Sequence, residues 1–284
     1  MTDEPHDPIA QTGIDTTIPH SARIWNYWLG GKDNYAVDRA AGDAWIAVQP
    51  EITTIAQTSR AFLKRAVTYL AAEAGIRQFL DVGTGLPTAE NTHEVAQSVA
   101  PDARIVYVDH DPLVLAHARA LLTSTPQGAT RYIDADMRDT ATILSGAAEI
   151  LDLTRPVVLL FMGVLGHVTD HDEAHSLVKS LLDALPTGSY LVIFDGAEGR
   201  AEGDAGTRAE DDYTDTGAMP YVTRTTEQVA TFFDGLEWVE PGYVSAPLWR
   251  PAHVLGIAGT TPQAPEWVNA FAGVARKSEV PSQG

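Results

Sequence analysis

The stretch FLDVGTGLPTAENTHEVA, Phe79 to Ala96, decides the fold of this 284-residue chain. Apolar residues run into Asp81, glycines follow at Gly83 and Gly85, and a helix-compatible segment begins a few residues later. A strand that passes through a glycine-rich turn into a helix is typical of α/β sheets whose turn binds part of a ligand. The third glycine of the dinucleotide fingerprint is missing, since Thr88 stands at its position.

The bulk composition excludes several classes of protein. The chain has no cysteine, so disulfides and cysteine-ligated zinc are excluded and a reducing, cytoplasmic location is expected. A formal net charge of -19 would repel a polyanion, which argues against DNA or large RNA as a partner. No apolar run approaches the roughly 18 residues of a membrane span, so we expect no membrane association. Residues 1–19 are acidic without an apolar signal core and are predicted to be a mobile tail.

The segments on either side of the turn have different periodicities. Residues 20–75 keep helical spacing with no strand pattern and are predicted to form an N-terminal helical cap. Residues 76–284 alternate strands with helices, which predicts a doubly wound, mostly parallel α/β sheet that forms one compact unit with the cap. Beyond the first strand, the predicted strands include RIVYVD, TRYIDADM, RPVVLLFMG, SYLVIFDG and HVLGIAGT.

Residues 196–220 are predicted to form a mobile, lid-like loop. They are glycine-rich and acidic with few apolar side chains, and such a segment cannot offset its own ordering entropy. The predicted anchors of this loop on a bound substrate are Tyr213, Met219 and Tyr221. Its acids should favour neutral or cationic substrates.

Two ligands suit the turn: the pyrophosphate of a dinucleotide and the amino-acid end of S-adenosylmethionine. Asp81 would repel a pyrophosphate, but it can hold an ammonium group directly or through water. Asp109 ends the second strand and can accept hydrogen bonds from both ribose hydroxyls, although NAD enzymes also carry an acid there. Asp136 ends the third strand and can accept from the adenine amino group, while the N–H of Met137 reaches a ring nitrogen. Because these strand ends share one crevice, the pattern favours S-adenosylmethionine over NAD(P).

Further residues complete the candidate site. His167, after the fourth strand, lies where acceptor and methyl group should meet and is a candidate general base, with a capping or packing role as the alternative. Asp111 is better explained as a helix cap, and no motif indicates a metal site. The other candidate cofactor contacts are Gly83, Thr84, Gly85 and Thr88 in the turn, His110 beside adenine, Lys32 and Arg60 for the methionine carboxylate, and Tyr27 against the sulfonium.

The chain resembles class I S-adenosylmethionine-dependent methyltransferases, and more closely an actinobacterial methyltransferase family formerly listed as a domain of unknown function. The most specific resembling stretches are YWLGGKDNY and FLDVGTGLPT, and similar stretches cover most of residues 20–251. The resemblance implies a Rossmann-like fold, S-adenosylmethionine as cofactor and methyl transfer to an unidentified small molecule. It implies neither the acceptor nor the oligomeric state.

One departure from that family concerns the turn. Class I enzymes often carry a third glycine at the position of Pro87, and here we expect a longer loop. Asn91 and Glu94 make a variant capping box, which predicts that the next helix begins after Asn91. Two alternatives to a methyltransferase remain at this stage: an NAD(P)-dependent oxidoreductase and a protein that binds S-adenosylmethionine without turnover.

Overall fold

The computed structural model describes residues 15–87, 90–121, 124–197, 210–211, 213–251 and 265–278. Three helices precede any strand, as the periodicity of residues 20–75 predicts: α1 (Ser21–Trp28), α2 (Ala36–Val48) and α3 (Ile52–Ala72). None of the helices in the described ranges is both long and apolar enough to cross a bilayer.

Strands and helices then alternate along the chain. They are β1 (Gln78–Val82), α4 (Thr92–Val99), β2 (Arg104–Asp109), α5 (Pro112–Leu121), β3 (Ala129–Asp134), α6 (Thr140–Ala147), β4 (Val158–Met162), α7 (His171–Asp183), β5 (Tyr190–Phe194), α8 (Thr226–Ala230), β6 (Glu237–Trp238), β7 (Val244–Ser245) and β8 (Phe271–Arg276). The order across the sheet is β3-β2-β1-β4-β5-β8-β6, with β7 also paired to β8. The first five strands are parallel and β8 is antiparallel to β5, which confirms the doubly wound, mostly parallel sheet.

The two faces of the sheet bury separate apolar clusters. Successive side chains of a strand point to opposite faces. In β1, Phe79 belongs to the cluster that contains Phe62 of α3 and other residues of the cap, whereas Leu80 belongs to the cluster that contains Ile143 of α6 and Leu181 of α7. The cap helices therefore share a core with the sheet.

The turn between α1 and α2 explains the stretch YWLGGKDNY. Asn26 Oδ1 accepts hydrogen bonds from the backbone N–H of Asp33 and from Asn34 Nδ2, both at 3.0 Å. A Cβ on Gly31 would lie 2.4 Å from the Asn26 amide, so only glycine fits against this side chain. The motif thus fixes α1 relative to α2.

A buried carboxylate reinforces the same connection. Asp38 is fully buried, and its oxygens accept hydrogen bonds from the backbone N–H groups of His20 (2.9 Å) and Tyr35 (2.8 Å). Arg23 Nε lies 3.1 Å from Asp38 Oδ1 and is itself buried. The pair joins α1 to the first turn of α2.

The C-terminal part of the sheet differs in part from the sequence expectation. Strand β8 was not indicated by the sequence, whereas the strand expected over 253–260 lies outside the described residues. In the expected lid, residues 198–209 and 212 also lie outside them, while residues 210–211 and 213–215 are helical. Tyr213 and Ala218 are buried in the core cluster of the cap side. The mobility of the lid stays a prediction.

Candidate active site

A cavity of about 450 Å³ lies at the carboxyl ends of the central strands. Its walls come from α1, α2 and α3, from the turn after β1, from the end of β2, and from the segments after β3, β4 and β5. This volume is within the usual range for small-molecule sites. The lining includes eight of the predicted site residues, which are Arg60, Gly83, Thr84, Gly85, Asp109, His110, Met137 and His167.

The glycine turn needs its two glycines for different reasons. Both are left-handed, with φ of +72° at Gly83 and +62° at Gly85. A Cβ on Gly83 would lie 2.2 Å from Val164 Cγ2, so this backbone packs directly against the segment after β4. A Cβ on Gly85 would meet nothing within 4 Å, and the space beside this residue is open to a ligand. The turn is therefore tightly packed at Gly83 and leaves room for a ligand beside the backbone of Gly85.

The Asp109 carboxylate is held by backbone N–H groups at the rim of the cavity. Its Oδ2 accepts from Gly85 N at 2.8 Å, and its Oδ1 accepts from His110 N at 2.8 Å and from Asp111 N at 3.1 Å. Asp111 caps α5, as expected, because its Oδ1 accepts from Leu113 N at 2.8 Å. The orientation of Asp109 is thus fixed by the glycine turn after β1 and by the loop that follows β2.

Asp81 lies outside the wall of the main cavity. It is buried in a smaller cleft that shares Arg60, Thr84 and Gly85 with that cavity. Thr92 Oγ1 donates to Asp81 Oδ2 at 2.6 Å. Burial raises the pKa of Asp81 to about 6, against the lowering effects of Thr92 and Arg60. The predicted contact of Asp81 with an ammonium group would therefore lie in the smaller cleft and not in the main cavity.

Arg60 brings a positive charge to the boundary of the two cavities. Its Nη2 donates to the carbonyl of Glu90 at 2.8 Å, which ties α3 to the loop before α4. Burial lowers the pKa of Arg60, but a guanidinium stays protonated in proteins. The loop itself ends as predicted, because Glu94 Oε2 accepts from Asn91 N at 2.7 Å where α4 begins.

Besides Asp81, three predicted contacts among the described residues are not found in the cavity walls. Asp136 is exposed, and its carboxylate accepts from a backbone N–H two residues further on. Lys32 is exposed in the turn between α1 and α2, and the Tyr27 hydroxyl donates to Asp43 at 2.7 Å. Thr88 lies outside the described residues. Local partners thus occupy Asp136 and Tyr27, and the predicted roles of these four residues stay predictions.

His167 stands in the wall on a short 3-10 turn, Leu165–His167, directly after β4. Its Nδ1 lies 2.9 Å from the carbonyl oxygen of Pro220, which can only accept, so Nδ1 carries the proton and Nε2 carries a lone pair. Burial lowers the pKa of His167 to about 4. The ring also packs edge-on against Tyr221, with 5.0 Å between centroids. The imidazole is therefore neutral and held in one tautomer.

An aromatic wall, defined as Trp25, Trp28, Trp45, Tyr213 and Tyr221, lines the cavity. Its rings meet edge to face in series, with centroid distances between 5.3 and 6.5 Å. The sequence analysis predicted Tyr213 and Tyr221 only as anchors of the lid-like loop. The wall shows that the cap and the segment after β5 cover the crevice together.

Asp195 is the functional candidate that sequence reasoning missed. It follows β5 directly and lines the cavity, although only 5% of its surface is exposed. Burial raises its pKa to about 6. The signal was present in the sequence, because SYLVIFDG places an acid after a parallel strand just as Asp81 and Asp109 are placed.

The donor set suits S-adenosylmethionine at several points. Asp109 offers a carboxylate for ribose hydroxyls, the open side of Gly85 permits close backbone approach, and Arg60 offers a cation for a carboxylate. The aromatic wall offers ring faces to a sulfonium.

Comparisons with known proteins agree with this geometry. A sequence model of the S-adenosyl methyltransferase family matches residues 7–278. The crystal structure of a DUF574 family protein from Streptomyces avermitilis has 44% identity and a TM-score of 0.83, covering 93% of this chain and 99% of that one. A candidate methyltransferase from Thermobifida fusca has 38% identity and a TM-score of 0.82, covering 95% and 98%. No curated protein matches the chain.

The family match spans nearly the entire chain and includes both specific sequence stretches, the glycine turn and the strand-end acids. It confirms the resemblance noted above and the cofactor inferred from Asp81 and Asp109, and it gives no support to an NAD(P)-dependent oxidoreductase. The chain therefore belongs to the S-adenosyl methyltransferase family, and its cofactor is S-adenosylmethionine.

Proposed function

We propose that this protein transfers the methyl group of S-adenosylmethionine to a small-molecule acceptor bound in the same cavity. The observation that carries this proposal is the continuity of the cavity, which joins Gly85 and Asp109 to His167 and the aromatic wall. A site that binds only the cofactor would not need His167 and the aromatic wall in addition to Gly85 and Asp109. A cytoplasmic location and a small acceptor, rather than a macromolecule, belong to the same proposal.

In methyl transfer the protein needs to supply positioning rather than a strong acid or base. Bound S-adenosylmethionine supplies a methyl carbon already activated by the sulfonium. The protein must align the acceptor with that carbon and exclude water, and such positioning is worth about 7–11 kcal/mol in well-oriented reactions. The aromatic wall and the Gly83–Gly85 turn do this by enclosing the crevice from both sides.

His167 is proposed to orient the acceptor by accepting a hydrogen bond at Nε2. The Nδ1–H to Pro220 bond keeps the ring fixed, so the lone pair has one direction. We expect His167→Gln to lower kcat about twofold to tenfold, the equivalent of one hydrogen bond between neutral groups, while S-adenosylhomocysteine affinity stays unchanged. The matched control is His175→Gln on α7, a histidine outside the cavity wall, which should leave kcat unchanged.

The low pKa of His167 also predicts the pH profile. A group with a pKa near 4 is deprotonated at every pH above about 5, so it should produce no acid limb between pH 5 and 7. An acid limb near pH 6.5 that disappears in His167→Gln would contradict the assignment.

The cofactor site is tested by calorimetry. We expect micromolar binding of S-adenosylhomocysteine and no binding of NAD. Asp109→Ala should weaken S-adenosylhomocysteine binding about tenfold to a hundredfold, because a hydrogen bond to a charged group contributes about 1.5–3 kcal/mol. Asp172→Ala removes an exposed acid on α7, outside the cavity wall, and should leave the affinity unchanged. Equal losses in both variants would contradict the site described above.

Binding without turnover is the remaining alternative. A screen of small metabolites with methyl-labelled cofactor distinguishes the two, because only an enzyme forms S-adenosylhomocysteine in proportion to a methylated product. Binding of S-adenosylhomocysteine with no product across the screen would favour a sensor.

A further inference from the structure

Asp195 has hydrogen-bonding capacity that the described residues do not use. Its backbone N–H donates to the carbonyl of Phe271 at 3.1 Å, and its carbonyl accepts from the Tyr243 hydroxyl. In the side chain, Oδ1 accepts from Gly196 N at 2.7 Å. The other oxygen, Oδ2, is buried and has no hydrogen-bond partner among the described residues.

A buried carboxylate oxygen without a hydrogen-bond donor lowers the stability of the folded protein. Buried carboxylate oxygens are nearly always hydrogen-bonded, and those that are not need an explanation. Arg224 does not supply the partner, because its guanidinium donates to the carbonyls of Leu165 and Val168. Since Asp195 lines the cavity, a ligand group that donates a hydrogen bond is the natural partner.

The surroundings select the charge of that group. Glu210 is a second buried carboxylate nearby, and its negative charge raises the pKa of Asp195, whereas the positive charge of Arg224 lowers it more strongly. Two buried carboxylates therefore stand against one guanidinium in this part of the cavity. Glu210 Oε1 accepts from Thr223 N at 2.9 Å, and Thr223 also lines the cavity. The aromatic wall adds ring faces that attract cations. An anionic acceptor would be repelled here, and a protonated nitrogen would be stabilised.

We propose that the methyl acceptor is a small amine whose nitrogen donates a hydrogen bond to Asp195 and packs beside the aromatic wall. This inference rests on the proposed methyl transfer and adds the chemical class of the acceptor. The protein is then an amine N-methyltransferase.

The reaction balances with the groups in the cavity. The ammonium form of the acceptor first passes one proton to the Asp195 carboxylate, which leaves the neutral amine with a lone pair. That lone pair forms the new N–C bond as the C–S bond breaks, and the electron pair of the C–S bond stays on sulfur. The positive charge moves from sulfur to the methylated nitrogen. Asp195 returns its proton to solvent when the product leaves.

The test compares isosteric probes in one protein preparation. The affinity for S-adenosylhomocysteine is measured first. The complex with S-adenosylhomocysteine is then titrated with 2-phenylethylamine and its N-methyl and ring-hydroxylated derivatives, and with 2-phenylethanol and phenylacetate as neutral and anionic counterparts. We expect the amines to bind about tenfold to a hundredfold more tightly than both counterparts.

Two variants test whether Asp195 is the residue that causes the preference for amines. Asp195→Asn keeps an oxygen for Gly196 N and should lose the preference for amines while S-adenosylhomocysteine affinity is retained. The matched control is Asp215→Asn, which removes one exposed charge from the segment after β5 and should keep the preference.

The outcomes separate this inference from the proposal on which it rests. Failure of S-adenosylhomocysteine to bind overturns the proposed function. Tight S-adenosylhomocysteine binding with equal or weaker binding of every amine overturns only the assignment of an amine acceptor. A preference that survives in Asp195→Asn also overturns it, and the wild-type comparison decides the matter even if that variant fails to fold.

Discussion

Replacement of Asp38 by alanine is expected to lower the free energy of unfolding by about 3–5 kcal/mol, the usual cost of breaking a buried ion pair. The carboxylate is fully buried against Arg23, which is also buried, so its removal breaks the ion pair described for this guanidinium. Two backbone N–H groups, those of His20 and Tyr35, lose their acceptor at the same time. Because these contacts position α1, we also expect S-adenosylhomocysteine binding to be lost.

The measurement is urea unfolding of the variant and the wild type, followed by calorimetry with S-adenosylhomocysteine. Asp43→Ala on the same helix is the matched control, since Asp43 is exposed and accepts only from the Tyr27 hydroxyl in the described contacts. It should change stability by less than about 1 kcal/mol. A similar small effect for Asp38→Ala would show that the pair contributes little.

Gly83→Ala is the second change with a large expected effect, about 2–5 kcal/mol of lost stability. A left-handed backbone costs a residue with a Cβ about 1–2 kcal/mol. Contact with Val164 at 2.2 Å adds overpacking, which typically costs about 1–3 kcal/mol. The new methyl group would push apart the turn after β1 and the segment after β4, on which the cavity depends.

Two further variants separate these terms. Gly75→Ala has a similar φ of +73° but no atom within 4 Å of the new Cβ, so it should show the conformational cost alone. Adding Val164→Ala to Gly83→Ala should return part of the stability, because the close contact is removed. If Gly83→Ala and Gly75→Ala lose equal stability, the contact with Val164 is not a constraint. Urea midpoints of the three variants and the wild type provide the comparison.

The parts of the site that could be predicted from sequence are those that topology brings together. Asp109 and Gly85 lie far apart in the sequence, but they come together in the fold because the carboxyl ends of parallel strands share one edge of the sheet. The same rule applied to β5 would have found Asp195. His167 could be placed for the same reason, since it follows β4.

The rest depended on contacts that no local pattern encodes. Strand β8 contains small residues with weak strand preference, and its Gly273 packs closely, since a Cβ there would lie 3.0 Å from Trp238 and 3.1 Å from Tyr243. Likewise, the glycine-rich composition after β5 could not reveal that Tyr213 packs on Trp45 at 5.3 Å. Such partners become neighbours only when the whole chain has folded.

The aromatic wall makes the protein an optical reporter of its own occupancy. Three of the six tryptophans in the chain, Trp25, Trp28 and Trp45, line the cavity. Indole emission shifts with the polarity around the ring, so displacement of water by a ligand should move the emission maximum towards the blue. A titration followed by intrinsic fluorescence therefore needs no label, and replacement of each tryptophan in turn by phenylalanine would show which part of the wall each ligand touches.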